Sequence, residues 1–203
     1  IKHMKKQRIW LITGASSGLG KVLAEAVLAA GEYVVATFRN PAQAESFQQK
    51  DPENRRGIVL DVTDRSRAAE VIRDIEWELG RVDVLVNNAG FGFTGAIEEA
   101  ADTEIRGVME THFHAALHLT QLVLPGMRKR KSGHIVQISS HGGFRALPGF
   151  GIYNASKFAF IALAKQLEKA NYRLLDCQVY NEHLDSLGCV EIDREDFLQV
   201  LKS

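Results

Sequence analysis

A glycine-rich turn near the start of the chain joins an apolar strand to a helix, and this restricts the fold more than any other feature. The strand is predicted at residues 8–12, the turn Thr-Gly-Ala-Ser-Ser-Gly-Leu-Gly occupies residues 13–20, and apolar residues then recur at helical spacing to Ala30. Such a turn lets backbone N–H groups approach a pyrophosphate at the positive end of the helix. Its Gly-x-x-x-Gly-x-Gly spacing differs from the common G-x-G-x-x-G pattern, so a tight turn without a ligand is the alternative.

Strands and helices alternate along most of the sequence. Four further strands are predicted at residues 33–37, 57–60, 82–86 and 134–138. A long helix is predicted from Thr103 to Met127, and another is predicted to begin near Ile152. Strands that are apolar on both faces and alternate with helices indicate a parallel sheet covered on both sides. The predicted fold class is therefore α/β, a doubly wound parallel sheet of the Rossmann type, with ligands at the carboxyl ends of the strands.

One of the predicted helices has a clear cap and a clear apolar face. Asp64 is predicted to cap it at its N-terminus. The apolar residues that share one face are Ala68, Val71, Ile72, Ile75 and Leu79.

Composition and charge disfavour several classes of protein. We expect the 203 residues, 1–203, to form a single domain, with residues 1–5 resembling a remnant of cloning. The 25 basic and 25 acidic side chains cancel, so charge favours neither nucleic acid nor an anionic membrane as a partner. No apolar run approaches the roughly 20 residues of a membrane span, and no signal peptide is visible. Because Cys177 and Cys189 are the only cysteines, we expect a cytoplasmic protein rather than a disulfide scaffold.

A serine pair and a Tyr-x-x-x-Lys motif follow the last of these strands. Ser139 and Ser140 end the fifth predicted strand, at the edge where ligands bind. Tyr153 and Lys157 have the i, i+4 spacing that places two side chains on one helix face. An isolated pair of this kind is more typical of a solvated helix face. Its position after a strand-end serine, in a fold that opens with a phosphate-binding turn, favours a functional site.

Five motifs occur together in the order and at the separations of one enzyme family. They are the glycine-rich turn at residues 13–20, Asp61-Val62, Asn87-Asn88-Ala89-Gly90, Ile138-Ser139-Ser140 and Tyr153-x-x-x-Lys157. On these motifs, residues 6–160 resemble a classical short-chain dehydrogenase/reductase. The resemblance implies an oxidoreductase that transfers a hydride between a nicotinamide cofactor and a small-molecule carbonyl or alcohol substrate.

The resemblance also implies roles for individual residues. Tyr153 would act as general acid in carbonyl reduction and as base in alcohol oxidation. Lys157 would favour the phenolate and hold the nicotinamide ribose, and Ser140 would hydrogen-bond the substrate oxygen. Asp61 would contact the adenine, and Asn88 would lie against the cofactor, with a strand-end turn as the alternative for Asn87-Asn88. The implied cofactor-binding residues are Gly14, Ser16, Ser17, Gly18, Leu19, Gly20, Arg39, Asp61, Val62, Asn88, Tyr153 and Lys157.

The end of the second predicted strand bears on the choice of cofactor. An acidic residue there would receive the ribose 2′-hydroxyl of NAD and repel a 2′-phosphate. This chain has Phe38 followed by Arg39, and the planar guanidinium donors of arginine suit a phosphate. The sequence therefore predicts NADP(H), with a simple surface arginine as the alternative.

Histidines in the long predicted helix raise two further questions. The family usually places an asparagine where this chain has His112, and that asparagine supports a water relay to the lysine. Imidazole both donates and accepts hydrogen bonds, so His112 is predicted as a catalytic residue that can continue the relay with an altered pH dependence. His114 and His118 have a spacing capable of chelating a metal, but no carboxylate or cysteine completes a set, so no metal site is predicted.

The last part of the chain departs from the family altogether. Residues 172–198 resemble the C-terminal region of leucyl/phenylalanyl-tRNA–protein transferases, so that residues 165–203 look imported. A strand at 174–179, a helix at 182–187 and a strand at 189–192 are predicted to complete the sheet, before a last helix capped by Asp193. The segment would not rebuild the family's substrate lid and would leave the pocket open. The exchange is either a natural recombination or an engineered chimera.

Two functions of different classes follow from these patterns. The first is an NADP(H)-dependent carbonyl reductase or alcohol dehydrogenase, supported by the complete set of motifs. The second is a nucleotide-binding chimera with little or no turnover, supported by His112 and the foreign tail. An interaction module has no signal beyond the family's habit of pairing long helices in homo-oligomers. The side chains of Phe91, Phe93, Phe144, Leu147 and Phe150 predict either an apolar substrate pocket or core packing.

Overall fold

The computed structural model describes residues 7–168, with side chains described as far as residue 162. Five strands form one sheet: β1 Ile9–Ile12, β2 Tyr33–Phe38, β3 Arg55–Val59, β4 Val84–Asn87 and β5 His134–Gln137. All neighbouring strands run parallel, in the order β3-β2-β1-β4-β5. This confirms the predicted doubly wound sheet. The strand–helix–strand unit and last helix predicted after residue 174 lie outside the described residues, as do residues 1–5.

The order of the strands determines where a ligand can bind. The chain winds outward from β1 through β2 to β3, and then returns to the other side of β1 to add β4 and β5. Loops that follow β1 and β4 therefore leave in opposite directions and open a crevice at the carboxyl edge of the sheet. The glycine-rich turn and the loop after β4 both border this crevice.

Six α-helices cover the described part of the sheet. They are α1 Gly18–Ala29, α2 Pro41–Gln49, α3 Arg65–Leu79, α4 Asp102–Met109, α5 Ala115–Arg130 and α6 Gly151–Glu168. A π-helical turn, Glu110–His114, joins α4 to α5, and short 3₁₀ turns occupy Ile97–Glu99 and His141–Gly143. The long helix predicted from Thr103 to Met127 is therefore present as one unbroken helical stretch, α4, the π turn and α5. The π turn itself was not predicted, because it takes in an extra residue that apolar periodicity does not reveal.

The faces of two helices show how well apolar spacing predicts burial. In α3, Asp64 Oδ1 accepts a hydrogen bond from Arg67 N at 2.9 Å, and the predicted face from Ala68 to Ile75 is buried. In α1, by contrast, Leu19 and Val22 belong to the apolar residues that recur at helical spacing, yet they are 42% and 64% exposed. The buried residues of α1 are Gly20, Ala24 and Val27. Small residues face inward there because the start of α1 packs closely on the loop after β4.

The core lies on both faces of the sheet. On one face, Leu11 and Leu85 pack with residues of α3 and α5 such as Leu119. On the other face, Ile12 packs with residues of α1 and α2 such as Phe47. Burial on both faces makes the sheet a rigid support for the loops at its carboxyl edge.

Candidate functional site

The glycine-rich turn needs glycine at specific positions. Gly14 and Gly18 have φ values of +67° and +55°, in the left-handed region that glycine adopts without strain. A Cβ atom on Gly14 would lie 2.9 Å from the Cα of Ala89. A Cβ atom on Gly20 would lie 2.6 Å from the carbonyl oxygen of Gly14 and would also run into the Asn88 amide. The turn therefore has its shape because no side chain occupies these positions.

Hydrogen bonds hold the turn against the loop after β4. Asn88 Nδ2 donates to the carbonyl oxygens of Thr13 and Gly14 at 2.8 and 3.0 Å. The hydroxyl of Thr13 donates to Val86 O at 3.2 Å and accepts from the backbone N–H groups of Asn88 and Ala89 at 3.0 Å each. The side chain of Asn88, predicted to lie against a cofactor, thus also shapes the turn, and Thr13 is a residue that the sequence did not single out.

Some of the amides in the turn are occupied by the protein itself. Gly14 N donates to Thr37 Oγ1 at 3.2 Å, and Ala15 N donates to Thr37 O at 3.1 Å. The N–H groups of Gly18, Leu19 and Gly20 open α1, where a helix offers them no carbonyl partner. The anion-binding capacity of the turn therefore lies at the start of α1 rather than along the whole glycine-rich segment.

A cleft of about 1140 Å³ opens beside the turn. It is lined by ten of the predicted cofactor-binding residues: Gly14, Ser16, Ser17, Gly18, Leu19, Gly20, Arg39, Asp61, Val62 and Asn88. Its far wall comes from α4 and the π turn, including Ile105, Arg106, Met109, Glu110 and His114. Sequence reasoning missed this wall, since nothing in the helical pattern shows which surface faces the sheet edge.

Arg39 and Asp61 lie at the ends of neighbouring strands in this cleft. Asp61 Oδ1 accepts hydrogen bonds from Thr63 N at 3.0 Å and from Thr63 Oγ1 at 2.7 Å. These bonds, followed by the positive charge of Arg39, lower the pKa of the Asp61 carboxyl group. Arg39 is exposed and belongs to none of the described ion pairs. The guanidinium group of Arg39 is free to turn toward the cleft, and the N–H groups at the start of α1 have no helical partner. Both features fit a phosphorylated dinucleotide.

Tyr153 and Lys157 lie on α6, as their spacing predicts. The Lys157 Nζ atom is 5.7 Å from the centre of the Tyr153 ring and donates a hydrogen bond to Ile138 O at 3.2 Å. Lys157 is only 7% exposed, and burial lowers its pKa to about 8. At neutral pH most of its amine is therefore still charged beside the phenol ring.

Ser140 is brought to the same place by the turn that follows β5. Its Oγ accepts a hydrogen bond from Gly142 N at 3.2 Å. A Cβ atom on Gly142 would lie 3.2 Å from Cε1 of Tyr153, so this turn packs directly on the tyrosine ring. Ser140, Tyr153 and Lys157 thus come together, although none of the three is among the residues that line the cleft.

His112 connects the cleft to this group. Its Nε2 atom accepts a hydrogen bond from Phe91 N at 3.0 Å, and Phe91 lines the cleft. Its Nδ1 atom lies 2.9 Å from the hydroxyl oxygen of Ser156, and that hydroxyl donates to Tyr153 O at 2.7 Å. Burial, and then the charge of Lys157, lower the pKa of His112 to about 4. Sequence reasoning missed Ser156, although it directly precedes Lys157 in the motif.

The remaining features considered from the sequence are the His114/His118 spacing, a membrane span and the apolar pocket residues. The Nε2 atom of His118 lies 3.2 Å from Arg65 O, and the side chains described, as far as residue 162, include no group of three or more His, Cys, Asp or Glu residues that could hold a metal ion. None of the described helices is long and apolar enough to cross a bilayer. Among the five predicted pocket residues, Phe144 is buried in the core, whereas Phe91 and Leu147 are 46% and 38% exposed near the site.

Comparison with known proteins gives two family matches. The family described as short chain dehydrogenase matches residues 8–174. The family described as leucyl/phenylalanyl-tRNA protein transferase matches residues 150–202. Both resemblances inferred from the sequence are confirmed, including a C-terminal part that matches a second family.

Individual proteins agree with the first match. The chain is 41% identical over 152 residues to a 3-ketodihydrosphingosine reductase from Bacteroides thetaiotaomicron, covering 75% of this chain and 54% of that protein. A short-chain dehydrogenase structure from Streptomyces avermitilis is 41% identical with a TM-score of 0.81, over 84% of this chain and 65% of that one. The structure of ElxO with NADP bound is 31% identical with a TM-score of 0.75, over 81% of this chain and 69% of that one. The chain spans about half the length of the curated relatives it matches.

Proposed function

The chain belongs to the short-chain dehydrogenase family, and from this premise we propose that it transfers a hydride between NADP(H) and a carbonyl or alcohol substrate. The observation that carries the proposal is the cleft itself. Ten residues chosen from sequence as cofactor contacts line it. The loop residue Phe91 then leads from that wall through His112 to the ring of Tyr153.

The residues of the cleft suit NADP in particular. The open N–H groups at the start of α1 would bind the diphosphate, and Arg39 would bind the 2′-phosphate. Asp61 and Val62 would border the adenine, and Lys157 would hold the nicotinamide ribose. The ElxO structure, which contains NADP, supports this choice of cofactor. Residues 7–168 offer no carboxylate directly after β2 that would repel a 2′-phosphate, since Arg39 follows Phe38.

The proposed chemistry uses three side chains around the reacting oxygen. The cofactor supplies the hydride for carbonyl reduction. The hydroxyl of Tyr153 donates the proton to the substrate oxygen, and the hydroxyl of Ser140 donates a hydrogen bond to the same atom. The ammonium group of Lys157 favours the phenolate that remains on Tyr153. In alcohol oxidation the proton moves in the opposite direction.

A second function is favoured by a specific observation. A transferase family matches residues 150–202. A chain with this C-terminus would bind the nucleotide and turn over little or no substrate. This alternative differs from the first only in catalysis, so binding and turnover have to be measured separately.

The remaining expectations are proposals of the same kind. We infer a cytoplasmic protein, a single domain over residues 1–203, a small-molecule partner rather than nucleic acid, and a homo-oligomer. Gel filtration with light scattering tests the oligomer, and limited proteolysis tests the single domain.

The test of the proposed function has two stages. Titration of NADPH is followed by its fluorescence, with NADH as the comparison ligand. Loss of NADPH absorbance is then followed with a panel of ketones and aldehydes that includes a long-chain ketone. If NADPH binds and is oxidised in the presence of a substrate, the result supports the reductase. If NADPH binds but is not oxidised, the result supports the chimera. Absence of binding defeats both. Tyr153→Phe is the matched variant, and it is expected to keep binding and lose turnover.

A further inference from the structure

We infer that His112 is a neutral positioning residue whose two ring nitrogens connect the loop after β4 to α6. One nitrogen holds the backbone of Phe91, and the other holds Ser156, which in turn holds the backbone of Tyr153. The inference rests on the proposed function only in assigning the reactive phenol to Tyr153. It departs from the proton relay that the sequence suggested for His112.

The hydrogen bonds determine where each proton lies. Phe91 N can only donate, so Nε2 of His112 must present its lone pair. The proton of the neutral ring is then on Nδ1, which donates to the hydroxyl oxygen of Ser156 at 2.9 Å. The hydroxyl proton of Ser156 goes to Tyr153 O at 2.7 Å. The three bonds therefore form a chain with one direction, and neither ring nitrogen is left for a relay.

Packing holds the imidazole in this position. His112 is 1% exposed and Ser156 is 0% exposed. The ring meets Phe91 and Tyr153 edge-on, with ring centres 5.4 and 5.5 Å apart. A Cβ atom on Gly90 would lie 3.2 Å from Nε2 of His112. The glycine of the Asn-Asn-Ala-Gly motif thus leaves room for a ring larger than the asparagine usual in the family.

Charge also favours the neutral ring. A second proton on Nε2 would point toward Phe91 N–H, a donor facing a donor. Burial of the ring, and then the nearby ammonium group of Lys157, disfavour a positive charge on His112 and keep its pKa far below neutrality. His112 consequently acts through the position of Tyr153 rather than by moving protons.

The primary test is the tautomer of His112 in the wild-type chain without cofactor or substrate. Long-range ¹⁵N–¹H correlation NMR at neutral pH distinguishes a proton on Nδ1 from one on Nε2 and from the imidazolium. We expect Nδ1–H alone, with the signal assigned by its loss in His112→Asn and its retention in His118→Asn. A proton on Nε2, a mixture of tautomers, or a charged ring overturns the inference.

The second test measures positioning. In Ser156→Ala, the Nδ1 proton loses its acceptor while Phe91 N still donates to Nε2, so we expect the proton to stay on Nδ1 and kcat to fall at least about tenfold, with the Kd for NADPH unchanged. Ser66→Ala, an exposed serine on α3, is the matched control. Wild-type kcat in Ser156→Ala overturns the positioning role. If the wild type binds NADPH but shows no turnover, the proposed reductase function fails, while the tautomer measurement still decides the His112 arrangement.

Discussion

The candidate site has two ends, the glycine-rich turn and the group of side chains around α6, and they are built from different chemical groups. At the glycine-rich turn, the groups facing the cleft are backbone amides, glycines and exposed serines. Around α6, the corresponding groups are buried side chains: Lys157, Ser156 and His112 are all below 10% exposed, and His112 is hydrogen-bonded to Ser156. Nucleotide binding at the glycine-rich turn therefore depends on the shape of the backbone, and a larger side chain there should weaken it most. The group around α6 depends on the protonation states of its buried side chains, and a change of charge should affect it most.

The largest expected effect tests the shape of the turn. In Gly20→Val, Cβ would lie 2.6 Å from Gly14 O and against the Asn88 amide, so the turn must move. We expect NADPH binding to weaken by more than about 100-fold, equivalent to roughly 3 kcal/mol of overpacking, measured by fluorescence titration. Gly95→Val is the control, since nothing lies within 4 Å of a Cβ there. Wild-type affinity in Gly20→Val would show that the nucleotide binds elsewhere.

The next effect tests protonation at the other end. The pKa of His112 falls from 6.5 to about 4 in the folded chain, so the unfolded chain binds more protons between these pH values and wild-type stability rises with pH across them. Acidification through this window should reduce the free energy of unfolding by up to about 3 kcal/mol. His112→Asn should lack this contribution, as measured by urea unfolding at several pH values. If the free energies of unfolding of wild type and variant change with pH in parallel, His112 titrates normally.

Arg39→Asp tests the choice of cofactor at the first end. Loss of a charge-assisted hydrogen bond to the 2′-phosphate should change the NADPH/NADH preference by about 10- to 100-fold. The measurement is the ratio of the two dissociation constants. Arg73→Asp, an exposed arginine on α3, should leave the ratio unchanged. An unchanged ratio in Arg39→Asp makes the assignment of NADP wrong.

The smallest expected effect separates stability from function at Lys157. Its pKa falls from 10.5 to about 8 on folding, so the charged amine destabilises the native state, and this penalty disappears as the pH rises from 8 to 10.5. At neutral pH, Lys157→Met should be more stable by about 1–2 kcal/mol, after loss of the bond to Ile138 O, and should lose turnover. Urea unfolding measures the first effect, with the exposed Lys129→Met as control. A less stable Lys157→Met chain would contradict the account of burial.

Much of the fold could be predicted because its signals are local. The strands follow from short apolar runs, and the cap of α3 follows from one aspartate. The glycine-rich turn indicated a nucleotide cleft, and nine of the ten predicted residues that line it came from motifs with fixed spacing, whereas Arg39 came from its position after the second strand. The inward face of α1 was less predictable, because Gly20 and Ala24 face the sheet for lack of space rather than for hydrophobicity. The π turn at Glu110–His114 left no mark on the apolar periodicity.

By itself, the sequence determined the doubly wound sheet, the phosphate-binding turn and ten of the residues that line the cleft, since each depends on neighbours close along the chain. Only the tertiary structure decided how those residues are connected. Thr37 occupies two amides of the turn, and His112 joins Phe91 to Ser156, which are 65 residues apart in the sequence. Such bonds form when packed helices bring distant groups together, and the direction of a buried hydrogen bond depends on which donor happens to face each atom.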